Sequence, residues 1–367
     1  MVAGGGTAGH VLPGIAVARE LVARGLDPSE IHFVGSQRGP EGELVQSAGF
    51  AASLLPGRGI QRRLTLENLG AALGLVVAFG RALTLVRRSR PRVVLVLGGY
   101  AALACALAAV IWRVPLVVAD QNARAGAVNR IAGRFAVACA VPFDSTDLPH
   151  KVVTGNPVRS EVVERAARRD PRGARSELAV PDRKVVVAVF AGSLGADRIN
   201  AAVGEAVQGE WSSRPELAVY HVLGARGWDA ASRDGRVLER AGTSGAWYRA
   251  VRYEQRMALL LDAADIVVCR AGGTTVAELA VMGTPSLLVP LPIATRDHQS
   301  ANAAELVDAG AAVCVPDGEF DATRLVSEVD RLLRGAGTLS EMASAAARSG
   351  RPDAASAVAD LVLANAR

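Results

Sequence analysis

Lysine is nearly missing from this chain of 367 residues: Lys151 and Lys184 are the only two, so arginine supplies almost all of the 41 basic side chains behind a formal charge of +5. A basic balance points to nucleic acid, anionic lipid or a phosphorylated substrate. Aromatic residues are scarce too, at 4%, and no nucleic-acid module is legible, so no nucleic-acid partner is expected and an anionic membrane surface is favoured. Cys105, Cys139, Cys269 and Cys314 are far apart, with no CxxC pair and no histidine at ligand spacing. That spacing argues against a zinc site and a disulfide framework, and reads as buried thiols in a reducing compartment. Because the chain opens directly on a strand and a glycine turn, no signal peptide is expected. The first strand is short, and a few native residues are expected to precede it.

Charge is also missing from one long stretch, Val93 to Trp112, which has the length of a membrane span. Gly98-Gly99 divides it into a β-rich half, Val93 to Leu97, and an alanine-rich half. A strand, a turn and a buried helix are therefore predicted, not a span.

Glycine, with 38 residues, is abundant and concentrated where it matters. Met1-Val2-Ala3 runs into Gly4-Gly5-Gly6-Thr7-Ala8-Gly9-His10, and Val185 to Phe190 runs into Ala191-Gly192-Ser193-Leu194-Gly195. A strand entering such a turn lets backbone approach a ligand and aims helix N-terminal N–H groups at an anion, the way α/β folds hold phosphate. Two such turns suggest two similar halves facing one substrate cleft. Apolar strands alternate with helix-length segments throughout. The first half offers Ile31–Val34, Val93–Leu97, Leu116–Ala119 and Val137–Val141. The second offers Lys184–Phe190, Ala218–Leu223, Ala246–Arg249, Ile266–Cys269, Ser286–Val289 and Ala312–Val315. The prediction is two Rossmann-like, doubly wound parallel-sheet α/β domains. Thr154-Gly155-Asn156-Pro157-Val158-Arg159 interrupts regular structure and marks the junction. The expected division is 1–155, 156–340 and a C-terminal helical segment 341–367 that packs on one domain or the other.

The densest constellation is Cys269-Arg270-Ala271-Gly272-Gly273-Thr274-Thr275-Val276-Ala277-Glu278. Here a strand ends, glycines turn and a helix opens, presenting N–H groups to a diphosphate while Glu278 accepts from ribose hydroxyls. Thr275-x-x-Glu278 also fits a plain capping box. Further on, Arg296-Asp297-His298-Gln299-Ser300-Ala301-Asn302 forms a polar loop where an open sheet places ligand contacts, with Gln299 and Asn302 expected on sugar hydroxyls.

Taken in order along almost the whole chain, several motifs together resemble the MurG family of bacterial glycosyltransferases. They are the GGTAGH turn, Gly98-Gly99-Tyr100, Asp120-Gln121-Asn122, the TGNPVR junction, Gly192-Ser193-x-Gly195-Ala196 with Asn200, Gly272 to Glu278, and His298-Gln299-x-x-Asn302. The resemblance implies a GT-B fold at the cytoplasmic face of the plasma membrane. It also implies peripheral attachment, with N-acetylglucosamine passing from UDP-N-acetylglucosamine to the 4-hydroxyl of an undecaprenyl-linked muramyl peptide with inversion. By similarity, Thr7, Ala8, Gly9, Asn122, Arg159 and Ser193 border the diphosphate and donor sugar. Backbone near Glu254 contacts uracil, Gly273, Thr274, Thr275, Val276, Ala277 and Glu278 hold diphosphate and ribose, and Gln299 holds the sugar. The chain departs from the family pattern at Asp120 (glutamate is usual), Ala119 (histidine), Ala191 (glycine) and Leu194 (glutamine), and in Ala101 to Ala104. A transferase with another glycolipid or natural-product acceptor would share the nucleotide-binding half, and a UDP-sugar epimerase is built on a similar two-domain scaffold; the TGNPVR junction and the His10 loop favour the peptidoglycan acceptor.

A base must take the acceptor proton, and His10 is the candidate, since an ordinary imidazole titrates near neutral pH. Asp120 is the rival base or a group orienting His10. With no acidic pair at metal-binding spacing, neither a metal nor another cofactor is expected. An apolar stretch, Leu64 to Leu85, with Leu75 and Phe79, is edged by Arg58, Arg62, Arg63, Arg81, Arg87 and Arg88. It suits an anionic membrane interface, though a core helix with solvated ends carries the same pattern.

Overall fold

The computed structural model describes the chain apart from Thr7, residues 38–40, 57–65, 182–184, Ser193, Val237 and 241–244, and apart from the side chains of Ala8, residues 66–73 and Arg240. It divides into two compact units, Met1–Arg159 with Arg351–Arg367, and Ser160–Gly350. The division differs from expectation at both ends. The junction falls after Arg159 rather than after residue 155, and of the segment from 341 onward only Arg351–Arg367 returns to the first unit.

The strands of the first unit are β1 (Val2–Gly4), β2 (His32–Ser36), β3 (Ala51–Leu55), β4 (Val94–Gly98), β5 (Leu116–Ala119), β6 (Ala138–Val141) and β7 (Lys151–Val153). All pair in parallel, in the order β3-β2-β1-β4-β5-β6-β7. Helices α1 (Ala8–Ala23), α2 (Glu41–Ser47), α3 (Leu66–Ser89), α4 (Tyr100–Ile111) and α5 (Ala127–Gly133) connect them. Successive side chains of a strand point to opposite faces, so Ala3, Val34, Val96 and Val118 face a core shared with α3 and α4. Val2, Phe33, Leu95 and Val117 face the one under α1. Burial on both faces explains why these strands read as unbroken apolar runs. The charge-free stretch resolves into β4 and α4, and among the described residues no helix is long and apolar enough to cross a membrane.

In the second unit the helices are α6 (Ser160–Ala167), α7 (Pro171–Glu177), α8 (Asp197–Gln208), α9 (Gly224–Arg233), α10 (Met257–Ala263), α11 (Gly273–Met282), α12 (His298–Asp308), α13 (Ala322–Arg334) and α14 (Thr338–Ser349). The final helix α15 (Ala354–Ala364) belongs to the first unit and packs on α1, where Val358, Ala359 and Val362 join the core. The second sheet holds β8 (Val185–Phe190), β9 (Leu217–Val222), β10 (Glu239–Arg240), β11 (Trp247–Val251), β12 (Ile266–Cys269), β13 (Ser286–Leu288) and β14 (Ala312–Cys314). Its order is β10-β11-β9-β8-β12-β13-β14, parallel except for the two-residue edge strand β10.

One buried carboxylate ties α6 and α7 to α10. Asp262 is fully buried, accepting from Arg165 Nε at 2.6 Å, Arg169 Nε at 3.0 Å and Asp170 N–H at 3.0 Å. Removing one partner of a buried ion pair leaves charge uncompensated. Asp262→Ala is expected to destabilise the second unit by about 3 kcal/mol, read as a lower urea midpoint at unchanged slope; a midpoint like wild type would contradict this role.

Candidate active site

In an open parallel sheet, ligands gather beyond the carboxyl ends of strands where the strand order reverses. The first sheet reverses between β1 and β4, and the glycine turns that follow these two strands touch there: Gly5 N–H donates to Gly98 O at 3.1 Å. Gly98 and Gly99 have φ of +115° and +85°, and a Cβ on Gly99 would lie 2.1 Å from Gly5 O. Only glycine permits that approach.

His10 sits over this floor, in the first turn of α1, with its Nδ1 3.1 Å from Gly5 O. A carbonyl only accepts, so Nδ1 carries the proton and the lone pair of the neutral ring is on Nε2. Nε2 lies above Gly98, where an added Cβ would come within 3.1 Å of it. The imidazole is half-buried. The bond to Gly5 O thus fixes which tautomer the neutral ring adopts. Gly9 is a half-buried glycine of the same turn, whereas Thr7 and the Ala8 side chain lie outside the described residues.

Asp120 requires a correction. It is buried, and its carboxylate is occupied: Oδ1 accepts from Asn122 N–H at 2.9 Å, and Oδ2 from Gly126 N–H at 3.0 Å and Asn129 Nδ2 at 2.8 Å. A carboxylate spent on three N–H donors staples the loop from 120 to 126; it is not placed to take a proton. Asn129, which the motifs do not single out, bridges Asp120 to the ends of β4 and β5 through the carbonyls of Leu97 and Ala119, each at 3.4 Å. Glu41 lies outside the motifs as well: this buried acid accepts from Gly6 N–H and pins the glycine turn. Asn122 and Arg159 are half-buried in the same unit.

The second sheet reverses between β8 and β12. After β12, Gly272 is the N-cap of α11, and the first helical bond is Val276 N–H to Gly272 O at 2.9 Å. The amides of Gly273, Thr274 and Thr275 precede that bond and are not consumed by the helix. This is the anion-binding arrangement, with half-exposed hydroxyls of Thr274 and Thr275 beside it. The capping-box alternative fails, because Thr275 lies inside the helix and no side chain caps it. Val276 is buried, Ala277 is half-buried, and Glu278, one turn in, is buried.

Two neighbours fix the turn. Asn302 donates to Ala271 O at 3.0 Å and is fully buried, so it supports the turn instead of meeting a sugar as expected. Arg270 donates to Val289 O and Pro290 O, both at 3.0 Å, and pairs with Asp317. Gln299 behaves differently: its Oε1 accepts from Leu291 N–H at 2.9 Å, which leaves the amide NH2 as the part able to donate to a hydroxyl. After β8, Gly192 and Gly195 close a turn, with Gly195 N–H on Gly192 O at 3.1 Å, while Ser193 lies outside the described residues. Glu254 is buried. Its burial pushes the carboxyl upward, but donation from Tyr220 hydroxyl at 2.6 Å and from Arg256 N–H and guanidinium outweighs that and holds it below the usual range.

Two family models match successive parts of the chain. Residues 1–141 match the glycosyltransferase family 28 N-terminal domain, and 186–358 match its C-terminal domain. The UDP-N-acetylglucosamine–N-acetylmuramyl-(pentapeptide) pyrophosphoryl-undecaprenol N-acetylglucosamine transferase of Desulforudis audaxviator (strain MP104C) is 35% identical over 99% of this chain and 97% of its own. The crystal structure of Acinetobacter baumannii MurG superposes with TM-score 0.73 at 26% identity, covering 99% of this chain and 98% of that one. A solved UDP-N-acetylglucosamine 2-epimerase shares only the fold, with TM-score 0.65 at 15% identity over 99% of this chain and 94% of its own. By its likeness over nearly its whole length, the chain belongs to glycosyltransferase family 28, in the branch formed by these MurG-type N-acetylglucosamine transferases.

Proposed function

We propose that this protein transfers N-acetylglucosamine from UDP-N-acetylglucosamine to the 4-hydroxyl of undecaprenyl-pyrophosphoryl-N-acetylmuramyl-pentapeptide in peptidoglycan synthesis. What carries the reading is found in each unit separately: an imidazole of fixed tautomer at the switch point of the first sheet, and an anion-binding helix start at the switch point of the second. The acceptor hydroxyl attacks the anomeric carbon, its proton passes to His10 Nε2, and the bond from that carbon to the UDP oxygen breaks on the opposite face. An α-linked donor thus gives a β-linked product. The departing diphosphate gains negative charge, which the amides opening α11 and the Gly192–Gly195 turn stabilise, along with Ser193 by resemblance. Glu278 takes ribose hydroxyls, Gln299 the donor sugar, and the backbone at Glu254 the uracil. Incubation with labelled donor and a short-chain lipid-linked muramyl peptide tests this: labelled disaccharide is expected. A new UDP-sugar formed from donor alone would favour an epimerase.

The acceptor is a lipid, and the first unit carries a surface that suits it. On α3 and α4, Val76 is 66% exposed, Val77 43%, Ile111 53% and Trp112 39%. Exposed Arg81, Arg87, Arg88 and Arg113 edge these residues. Trp112 donates to Leu83 O at 3.0 Å, and Arg87 stacks over its ring at 5.1 Å, joining the helices at one end. Leu75 and Phe79 are half-buried, so the outward anchors are their neighbours Val76 and Val77; Arg58, Arg62 and Arg63 lie outside the described residues. Apolar side chains with a cationic rim favour an anionic interface. The free cysteines suit the reducing cytoplasmic side. Val76→Asp with Ile111→Asp is expected to reduce binding to phosphatidylglycerol vesicles about tenfold or more while sparing turnover of a short-chain acceptor. Unchanged sedimentation with vesicles would reject this surface.

A further inference from the structure

Three buried side chains, Asn200 of the second glycine-turn motif with His221 and Tyr248 from outside the motifs, form a directed chain of hydrogen bonds beneath the Gly192–Gly195 turn. Asn200, in the first turns of α8, donates from Nδ2 to Leu223 O at 3.0 Å. Its Oδ1 lies 3.0 Å from His221 Nε2, and His221 Nδ1 lies 3.1 Å from the Tyr248 hydroxyl. Leu223 O can only accept, so the NH2 group of Asn200 faces it and Oδ1 faces the ring. His221 Nε2 must then donate, Nδ1 must accept, and Tyr248 must supply its proton. One neutral tautomer satisfies every bond. Complete burial also opposes charge on the ring, pushing His221 down to about 3.

The chain ends on backbone that touches the turn. A Cβ on Gly195 would lie 2.0 Å from Leu223 O, and one on Gly224 would lie 2.2 Å from Gly195 N. A shift of the Leu223–Gly224 peptide must therefore displace Gly195. Asn200 also lines a cleft of about 230 Å³ between α8 and α9, along with Gly204, Gly227 and Tyr248, and its Nδ2 lies so near Gly227 that a Cβ there would come within 2.2 Å of it. Without the His221 bond, the Asn200 amide is oriented by its bond to Leu223 O alone.

We infer that Tyr248 and His221 are positioning residues which, through Asn200 and Leu223 O, hold the Gly192–Gly195 turn in the shape that receives the phosphates of a nucleoside diphosphate. The inference rests on the reading of that turn as part of the donor site. Tyr248→Phe removes one proton donor at nearly constant volume, and His221→Leu removes the whole link. His221→Gln restores a donor toward Asn200.

In the full-length protein, Tyr248→Phe is expected to raise the calorimetric UDP dissociation constant and the donor KM about three- to tenfold, the scale of one lost hydrogen bond. The kcat and acceptor KM should stay within about twofold, a split that general destabilisation would not give. His221→Leu should do more, and His221→Gln should recover most of the loss. Amide exchange at Gly195, read without nucleotide, should accelerate in Tyr248→Phe. Wild-type UDP affinity and unchanged Gly195 exchange in Tyr248→Phe would overturn the inference even if His221→Leu fails to fold. Faster exchange in the variant, with no UDP binding by wild type, would instead uphold the mechanical link and reject the donor-site reading.

Discussion

His10→Ala is expected to lower kcat by about 10²- to 10⁴-fold, the usual contribution of a positioned general base, with the donor KM nearly unchanged. The affinity for UDP is assigned to α11 and the Gly192–Gly195 turn in the second unit, which the substitution leaves alone. The side chain is half-buried and bonded to Gly5 O, at the carboxyl edge of the sheet and not in its core, so the first unit is expected to stay folded. The acid limb of the pH–rate profile, where protonation of Nε2 removes the base, should vanish in the variant. Turnover like wild type, or an intact acid limb, would remove His10 from the chemistry.

Gly99→Ala should be nearly as damaging by a different route. With φ at +85°, an L side chain at this position is strained, at about 1–3 kcal/mol before any clash. The added Cβ would sit 2.1 Å from Gly5 O and 2.8 Å from Gly5 C, both backbone atoms. They must move, and Gly5 O is the group that sets the His10 tautomer. The expected result is at least about a hundredfold loss of turnover, since small displacements of catalytic groups are costly. A lower melting temperature of the first unit should accompany it, while UDP affinity is retained. Near-normal turnover would show that the β1 and β4 turns are not the floor on which the base rests.

Much of the fold is legible in the amino-acid sequence because buried parallel strands are apolar on both faces and helices such as α4, α5 and α11 begin at glycine. Val93–Leu97, Leu116–Ala119 and Ile266–Cys269 differ from β4, β5 and β12 by at most one residue at either end. β3 is not legible, because Ala-Ala-Ser-Leu-Leu has no β-branched residue. Nor are β7, a three-residue edge strand, and β10, a two-residue one. In the site, residue type is legible but partnership is not. Asp120 reads as a base because sequence does not show that Gly126 N–H and Asn129 already occupy it. Asn302 reads as a sugar contact, yet the Ala271 carbonyl turns it inward. Of the Tyr248–His221–Asn200 chain only Asn200 falls in a motif, and nothing in the sequence joins it to the other two. It exists because parallel pairing of β9 with β11 sets Tyr248 opposite Val219, which places its hydroxyl beside His221 two residues further along.

The account depends most on where the nucleotide goes, and a crystal structure of the protein with UDP-N-acetylglucosamine tests this directly. The diphosphate should lie against the amides of Gly273, Thr274 and Thr275 at the start of α11, with ribose hydroxyls within hydrogen-bond reach of Glu278. A diphosphate bound elsewhere, with those amides facing only water, would contradict it.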